Sequence, residues 1–285
     1  MIRNEIKKRI LILDGGIGSS LKKYKFSNFI NLENPEIIKN IHQDFIDAGA
    51  DIIETNTFNI NFLTTKEKTY KICKTGANLA LEVAKKSKDK KIFVAGSIGP
   101  TEMSLFSLSK NQDINISDKK NELRKIYFDQ IKALIDCNID FLLFETVYDS
   151  LNLEVGLNLA YDIMNKENRE IPIIISLTID EKGKIFSGED IYDIINKFDC
   201  EKILAYGYNC SFGSEKLVNT IKNIKISKPL IIYPNAGTPD KNGNYLESPE
   251  IFVNNLLKIK DKANIIGGCC GVTPQYINLL RKKLK

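Results

Sequence analysis

The stretch DFLLFETVYDSLNLEVGLNLAYDIMNKENREIPIIISLT (140–178) contains the unit that decides the fold. An apolar run, DFLLFET (140–146), leads into a segment of helical spacing and then into a second apolar run, PIIISLT (172–178). Neither run alternates polar with apolar residues, which is the pattern of parallel strands covered on both faces. Moving outward in both directions, the same alternation returns at ILILD (10–14), DIIETN (51–56), IFVAGS (92–97), ILAYGYN (203–209), LIIYPN (230–235) and NIIGG (264–268). Eight strand–helix units in 285 residues predict a single (β/α)8 TIM barrel occupying 1–285.

The connecting segments carry readable helix starts. Asn34-Pro35, Ser248-Pro249 and Thr273-Pro274 each pair a capping side chain with proline at the first helical position. Ser117 is expected to open a long helix bearing Leu123, Ile126, Tyr127, Ile131, Leu134 and Ile135, and Gly49 to stop the helix before the second strand. The alternative is a doubly wound open sheet. Its dinucleotide fingerprint G-x-G-x-x-G does not match Asp14-Gly15-Gly16-Ile17-Gly18, and the barrel is preferred.

Composition bounds the function. Hydrophobic residues make up 43% and charged residues 27%, ordinary for a globular chain with a sizeable core. The opening MIRNEIKKR lacks the apolar stretch of a secretory signal, and no run approaches the roughly 20 apolar residues that span a bilayer. A cytoplasmic address without membrane partners is expected. The net charge of +5 comes from scattered lysines, with clusters at Lys85–Lys91 and Arg281–Lys285. No aromatic residues interleave with them, so they read as solvated helix ends and not as a nucleic-acid surface.

In such barrels the chemistry sits where strands end. Those ends offer Asp14, Gly15 and Gly16 from the first strand, Glu54, Thr55 and Asn56 from the second, and Glu145 from the fourth. The sixth gives Asn209 and Cys210, the seventh Asn235, and the eighth Gly267, Gly268, Cys269 and Cys270. Three of the six cysteines therefore fall at one face, on strands separated by a single neighbour. Three thiolates suit a catalytic zinc with its fourth position open, a soft site fitted to another sulfur. A vicinal Cys269–Cys270 disulfide is the competing reading, although adjacent cysteines are awkward for relaxed disulfide geometry. Cys73, Cys137 and Cys200 have no partner at ligand spacing and read as small buried hydrophobes. His42, the single histidine, lies on the first helix beside Ile38, Ile41 and Phe45, which argues against Ser-His-Asp and Cys-His nucleophile schemes. Asp14 and Glu145 suit an ammonium group, and the backbone amides of the glycine turn suit a carboxylate; together they describe an amino-acid pocket.

Across essentially the whole chain these motifs resemble the homocysteine S-methyltransferase family: LDGGIGSSL (13–21), GADIIETNTFN (49–59), AGSIGPT (95–101), LLFETVYDSLN (142–152), GYNCSFG (207–213), YPNAGTP (233–239) and GGCCGVTP (267–274). ETNTFN, YPNAG and CCGVTP look closer to the homocysteine-binding module of cobalamin-dependent methionine synthase than to betaine- or S-methylmethionine-using relatives. The resemblance implies zinc on Cys210, Cys269 and Cys270. It implies homocysteine held by Asp14, Gly15, Gly16, Ile17 and Glu145, with Asn209 and Asn235 as supporting residues of the binding site near the metal. Methyl transfer to the thiol would give methionine. The folate, cobalamin and activation modules of methionine synthase are not in this sequence, so the expected donor is methylcobalamin on a separate corrinoid methyl-carrier protein. Three alternatives are S-methylmethionine or another small donor, a non-catalytic zinc-binding protein, and, ranked last, a phosphate-handling barrel lyase. The last would want a glycine-rich phosphate loop where Cys269 and Cys270 stand.

Overall fold

The computed structural model describes residues 1–22, 24 and 27–284; Lys285 of the C-terminal basic cluster lies outside them. The strands are β1 (Leu11–Ile12), β2 (Ile52–Glu54), β3 (Phe93–Ile98), β4 (Phe141–Val147), β5 (Ile173–Leu177), β6 (Ile203–Gly213), β7 (Leu230–Asn235) and β8 (Ile265–Ile266). Each falls on one of the eight runs read from the sequence. All pair in parallel in the order β1-β8-β7-β6-β5-β4-β3-β2. A bridge between Leu13 and Ile52 closes the sheet on itself. Helices follow every strand, among them Pro35–Asp47, Thr69–Lys86, Ile116–Ile135, Ser150–Lys166 and Pro274–Lys283. The architecture is a (β/α)8 barrel.

The uninterrupted apolar character of the strands has a simple origin: alternate residues belong to two different cores. Leu11, Leu13, Ile52, Phe93, Ala95, Phe141, Leu143, Ile174, Ile231, Tyr233 and Ile265 pack inside the barrel. Ile12, Ile53, Val94, Leu142, Ile173, Ile175, Ile232 and Ile266 face the helices. From below, Ile2 and Ile6 of the N-terminal helical turn join the inner cluster and form its floor.

Proline stands at the start of all three helices where it was expected, but only Ser248 caps through its side chain, accepting from the Ile251 amide at 3.3 Å. Asn34 also ends the preceding helical turn, and its ψ of 61° is outside the extended range that a capping side chain uses. The long helix begins at Ile116 and not at Ser117, because the Asn115 side chain accepts from the Ser117 and Asp118 amides. Gly49 ends its helix at φ 110°, a left-handed conformation open to glycine. Cys73 and Cys137 are buried as expected, whereas Cys200 is exposed. His42 is fully buried, and desolvation lowers its pKa to about 4, so it stays neutral. No described helix is long and apolar enough to cross a membrane.

The β1–β2 seam is short of backbone pairs, and carboxylates complete it. Near the floor, the Asp51 amide donates to the Ile12 carbonyl at 2.7 Å, and the Ile12 amide donates to Asp51 Oδ2 at 3.0 Å. Near the mouth, the Asp14 amide donates to the Ile52 carbonyl and the Glu54 amide to Asp14 Oδ2, both at 3.0 Å. Asp51 is almost fully buried and gathers Arg9 and Lys90, each at 3.0 Å, together with Arg281 of the last helix. Burial alone would raise its pKa, but the Ile12 amide, Arg281, Arg9 and Lys90 outweigh it and hold the carboxyl below the ordinary value. The cluster thus binds the chain start, the β2–β3 connection and the final helix to one carboxylate.

Asp51→Ala is expected to cost about 3 kcal/mol or more, since it orphans a buried amide and three cations together. Asp51→Asn, which keeps an acceptor for Ile12, should cost less. Urea midpoints of the two variants check the order.

Candidate functional site: three cysteines beside three carboxylates

The same period of two that fills the barrel also builds its upper layer. Two residues beyond the inward-facing Ile52, Ala95, Leu143 and Ile174 come Glu54, Ser97, Glu145 and Ser176. The apolar filling therefore gives way to a polar layer at the mouth. Above it opens a cavity of about 460 Å³, whose walls include Gly15, Gly16, Ile17, Glu54, Ser97, Glu145, Cys210, Cys269 and Cys270.

The three cysteine sulfurs lie within 4.8 Å of one another. Cys210 and Cys269 are joined in a disulfide, with Cα atoms 5.8 Å apart, and Cys270 Sγ stands 3.8 Å from Cys210 Sγ. The bond thus links β6 to the turn after β8 and not the vicinal pair. Cys210 sits at φ 52°, a conformation uncommon for a residue with a Cβ, which turns its side chain toward the β8 end.

Two asparagines order this cluster. Asn235 donates to the Cys210 carbonyl at 3.0 Å and accepts from the Cys270 amide at 3.2 Å, spanning the two loops. Asn209 Oδ1 accepts from the Thr146 amide at 2.9 Å and from Ser176 Oγ at 2.8 Å. Its Nδ2 donates to Thr146 Oγ1 at 2.8 Å and points at Cys269 Sγ, 3.9 Å away. Those bonds hold Thr146 at φ 56°, directly after Glu145. Neither asparagine is among the residues lining the cavity; both act on the residues that do.

Three carboxylates stand near the sulfurs: Glu54 and Glu145 line the cavity, whereas Asp14 is fully buried and does not. Asp14 Oδ2 is spent on the seam, and its Oδ1 is buried without a hydrogen-bond partner. Glu54 Oε1 is likewise buried and unpartnered. Glu145 accepts from Ser97 Oγ. Burial raises the Asp14 carboxyl well above its ordinary value, against the Glu54 amide and with help from the Glu145 charge. For Glu54, burial and then the charges of Glu145, Asp14 and Cys270 act in the same direction. Glu145 is lifted by burial to about 7, against the lowering effect of the Ser97 and Tyr233 hydroxyls. The orphaned oxygens of Glu54, which lines the cavity, and of the buried Asp14 call for a cation or a proton.

The glycine turn lies across from the β8 end. A side chain at Gly15 would meet the Val272 carbonyl at 2.5 Å, and one at Gly16 the Cys269 carbonyl at 2.8 Å. The Gly16 amide, expected to serve a substrate carboxylate, already donates to the Val272 carbonyl at 3.1 Å. Glu54 stands at a strand end but is not among the site residues the sequence predicts. Its place two residues after the inward Ile52 is the signal that identifies it.

A (β/α)8 barrel carrying soft sulfur donors against an acidic recess defines a class of thiol-handling enzymes. Residues 11–284 match the family model of homocysteine S-methyltransferase, and the chain belongs to that family. Solved structures of the homocysteine methyltransferase MmuM from Escherichia coli are similar over nearly the full length. The oxidized form is 22% identical with a TM-score of 0.80, covering 99% of each chain. The metallated form is 21% identical with a TM-score of 0.79, again over 99% of each. The apo form gives 22%, 0.73 and 97% of each. At these identities the likeness bears on the fold.

Between its ordinary pKa of 4.5 and about 7, Glu145 binds a proton in the folded chain that the unfolded chain does not. Its contribution therefore favours folding at the acid end of that window and is lost as pH rises through it. In the ligand-free, metal-free protein, Glu145→Gln should flatten this fall by about 2–3 kcal/mol. Urea midpoints at pH 5 and pH 8 measure it.

Proposed function

We propose that the chain transfers a methyl group to the thiol of L-homocysteine, giving methionine, with Zn²⁺ held by the thiolates of Cys210, Cys269 and Cys270. The observation that carries this reading is the convergence of three sulfurs, within 4.8 Å of one another, on a cavity whose opposite wall is acidic. Once the Cys210–Cys269 bond is reduced, the donor set fits the ion. Two sulfurs held at about 2.3 Å on one tetrahedral centre lie about 3.8 Å apart, and the Cys210 and Cys270 sulfurs are separated by 3.8 Å. Bound zinc would supply a lowered thiol pKa, keeping the substrate sulfur anionic near neutral pH.

The remaining work falls to the chain itself. Asp14 and Glu145 face the substrate ammonium, and Glu54 adds a third carboxylate on the same side. The backbone amides of Gly15 and Ile17 accommodate the substrate carboxylate, the Gly16 amide being held by the Val272 carbonyl. Asn235 and Asn209 fix the loops that present the cysteines. The substrate thiol gives up its proton to solvent, a sulfur–methyl bond forms as the donor–methyl bond breaks with its electron pair staying on the donor, and the neutral thioether departs.

For the donor, methylcobalamin on a separate corrinoid protein comes first, on the likeness of ETNTFN, YPNAG and CCGVTP to the corrinoid-using module. S-methylmethionine is the second reading, and the cavity favours it: about 460 Å³ leaves room beside one amino acid for another. Turnover of homocysteine with S-methylmethionine and no corrinoid would establish the second reading and remove the first.

Cys210→Ala, Cys269→Ala and Cys270→Ala should each abolish tight zinc binding and turnover. A variant that keeps stoichiometric zinc and full rate is not missing a ligand. Reduced protein should take up one zinc and the Cys210–Cys269 disulfide form none, because oxidation removes two of the three thiolates. Metal analysis with X-ray absorption checks both points. Adding homocysteine should raise the sulfur neighbours from three to four, whereas a zinc-storage protein would show no change.

A further inference from the structure

Ser97 lies at the mouth end of β3 with 1% of its surface exposed, and no part of the reading above assigns it a task. Its hydroxyl donates to Glu145 Oε1. Both of its backbone polar groups are held from the loop that follows β2. The Ser97 amide donates to Thr55 Oγ1 at 3.0 Å, and Thr57 Oγ1 donates to the Ser97 carbonyl at 2.7 Å. The two threonine hydroxyls are 2.7 Å apart. Since the single Thr57 proton goes to the Ser97 carbonyl, Thr55 must donate to Thr57. The chain of donors is therefore fully determined, and every member is buried. Gln130 anchors its far end, donating to the Thr57 carbonyl at 2.8 Å.

This arrangement exceeds what folding of β3 requires. A strand residue pairs its amide and carbonyl with neighbouring backbone. Here two side chains grip them, and the hydroxyl thus positioned meets Glu145, the one of the three carboxylates that has a side-chain donor. Asp14 is aimed by the seam, whereas Glu145 is aimed by Ser97.

We propose that Ser97, gripped by Thr55 and Thr57, is the positioning residue that directs the Glu145 carboxylate at the substrate ammonium, and so makes the site select thiols that carry an amino group. The inference rests on the homocysteine reading. Its distinguishing claim is that loss of the Ser97 hydroxyl weakens recognition of the ammonium and leaves the sulfur end untouched.

Zinc-loaded protein is titrated calorimetrically with homocysteine and with 4-mercaptobutanoate, the same thiol acid without the amino group. Wild type should bind homocysteine the more tightly. Ser97→Ala should weaken homocysteine by about tenfold or more, as loss of a hydrogen bond to a charged group does. It should leave 4-mercaptobutanoate within about twofold and the zinc content at one. Ser97→Thr, which retains the hydroxyl, should restore most of the homocysteine affinity. In a Glu145→Gln background, Ser97→Ala should cause little further loss. Equal weakening of both thiols, or unchanged homocysteine binding, overturns the positioning role while the homocysteine reading stands. Wild type that binds neither thiol overturns that reading, and this inference with it. Should Ser97→Ala fail to fold, Thr57→Val, which frees the Ser97 carbonyl, must show the same selective loss in smaller degree, or the proposal fails.

Discussion

The closing of β1 against β2 is the contact on which the remaining structure depends. Seven of the eight strand interfaces are ladders of two or more residue pairs, whereas this one is a single bridge flanked by Asp51 below and Asp14 above. Each carboxylate does what a backbone carbonyl does elsewhere in the sheet, accepting an amide from the opposite strand. Without closure, β8 and β2 would not lie on either side of β1, and the cysteine turn would not face Glu54. The cation cluster around Asp51 holds the lower end, so that the upper end can be given over to binding.

That division explains the electrostatics of the mouth. Three carboxylates and three sulfurs in one recess are an unfavourable assembly in an empty protein, and the raised pKa values of Asp14, Glu54 and Glu145 express the cost. The cost is local and is carried by the apolar filling beneath and by the ion pairs at the far end. A divalent ion at the sulfurs and an ammonium at the carboxylates would each relieve it, so the recess is organised for occupants of defined charge.

Much of this was legible in the sequence. Strand runs, barrel closure and the meeting of Cys210 with Cys269 and Cys270 follow from apolar runs and from the rule that chemistry collects at strand ends. What was hidden depended on partners distant along the chain. The Cys210–Cys269 disulfide joins residues whose separation in space no local pattern gives. The engagement of the Gly16 amide by Val272 removes a donor that the glycine turn seemed to offer, and only the β8 loop's approach reveals it. Asn115 took the cap expected of Ser117 because its side chain reaches the Ser117 and Asp118 amides two and three residues on, which leaves Ser117 inside the first turn. Ser97 is not legible in the sequence, since serine in a strand has no signature; its meaning comes from Thr55, Thr57 and Glu145 around it.

The floor made by Ile2 and Ile6 seals the barrel from beneath, and the inner cluster above it is packed solid. Every molecule that reaches the sulfurs must therefore use the same doorway by which the previous one left. Traffic through a single door is sequential: the methylated product has to clear the threshold before a fresh thiol can take its seat. A bulky carrier resting on the threshold would hold up departures as well as arrivals.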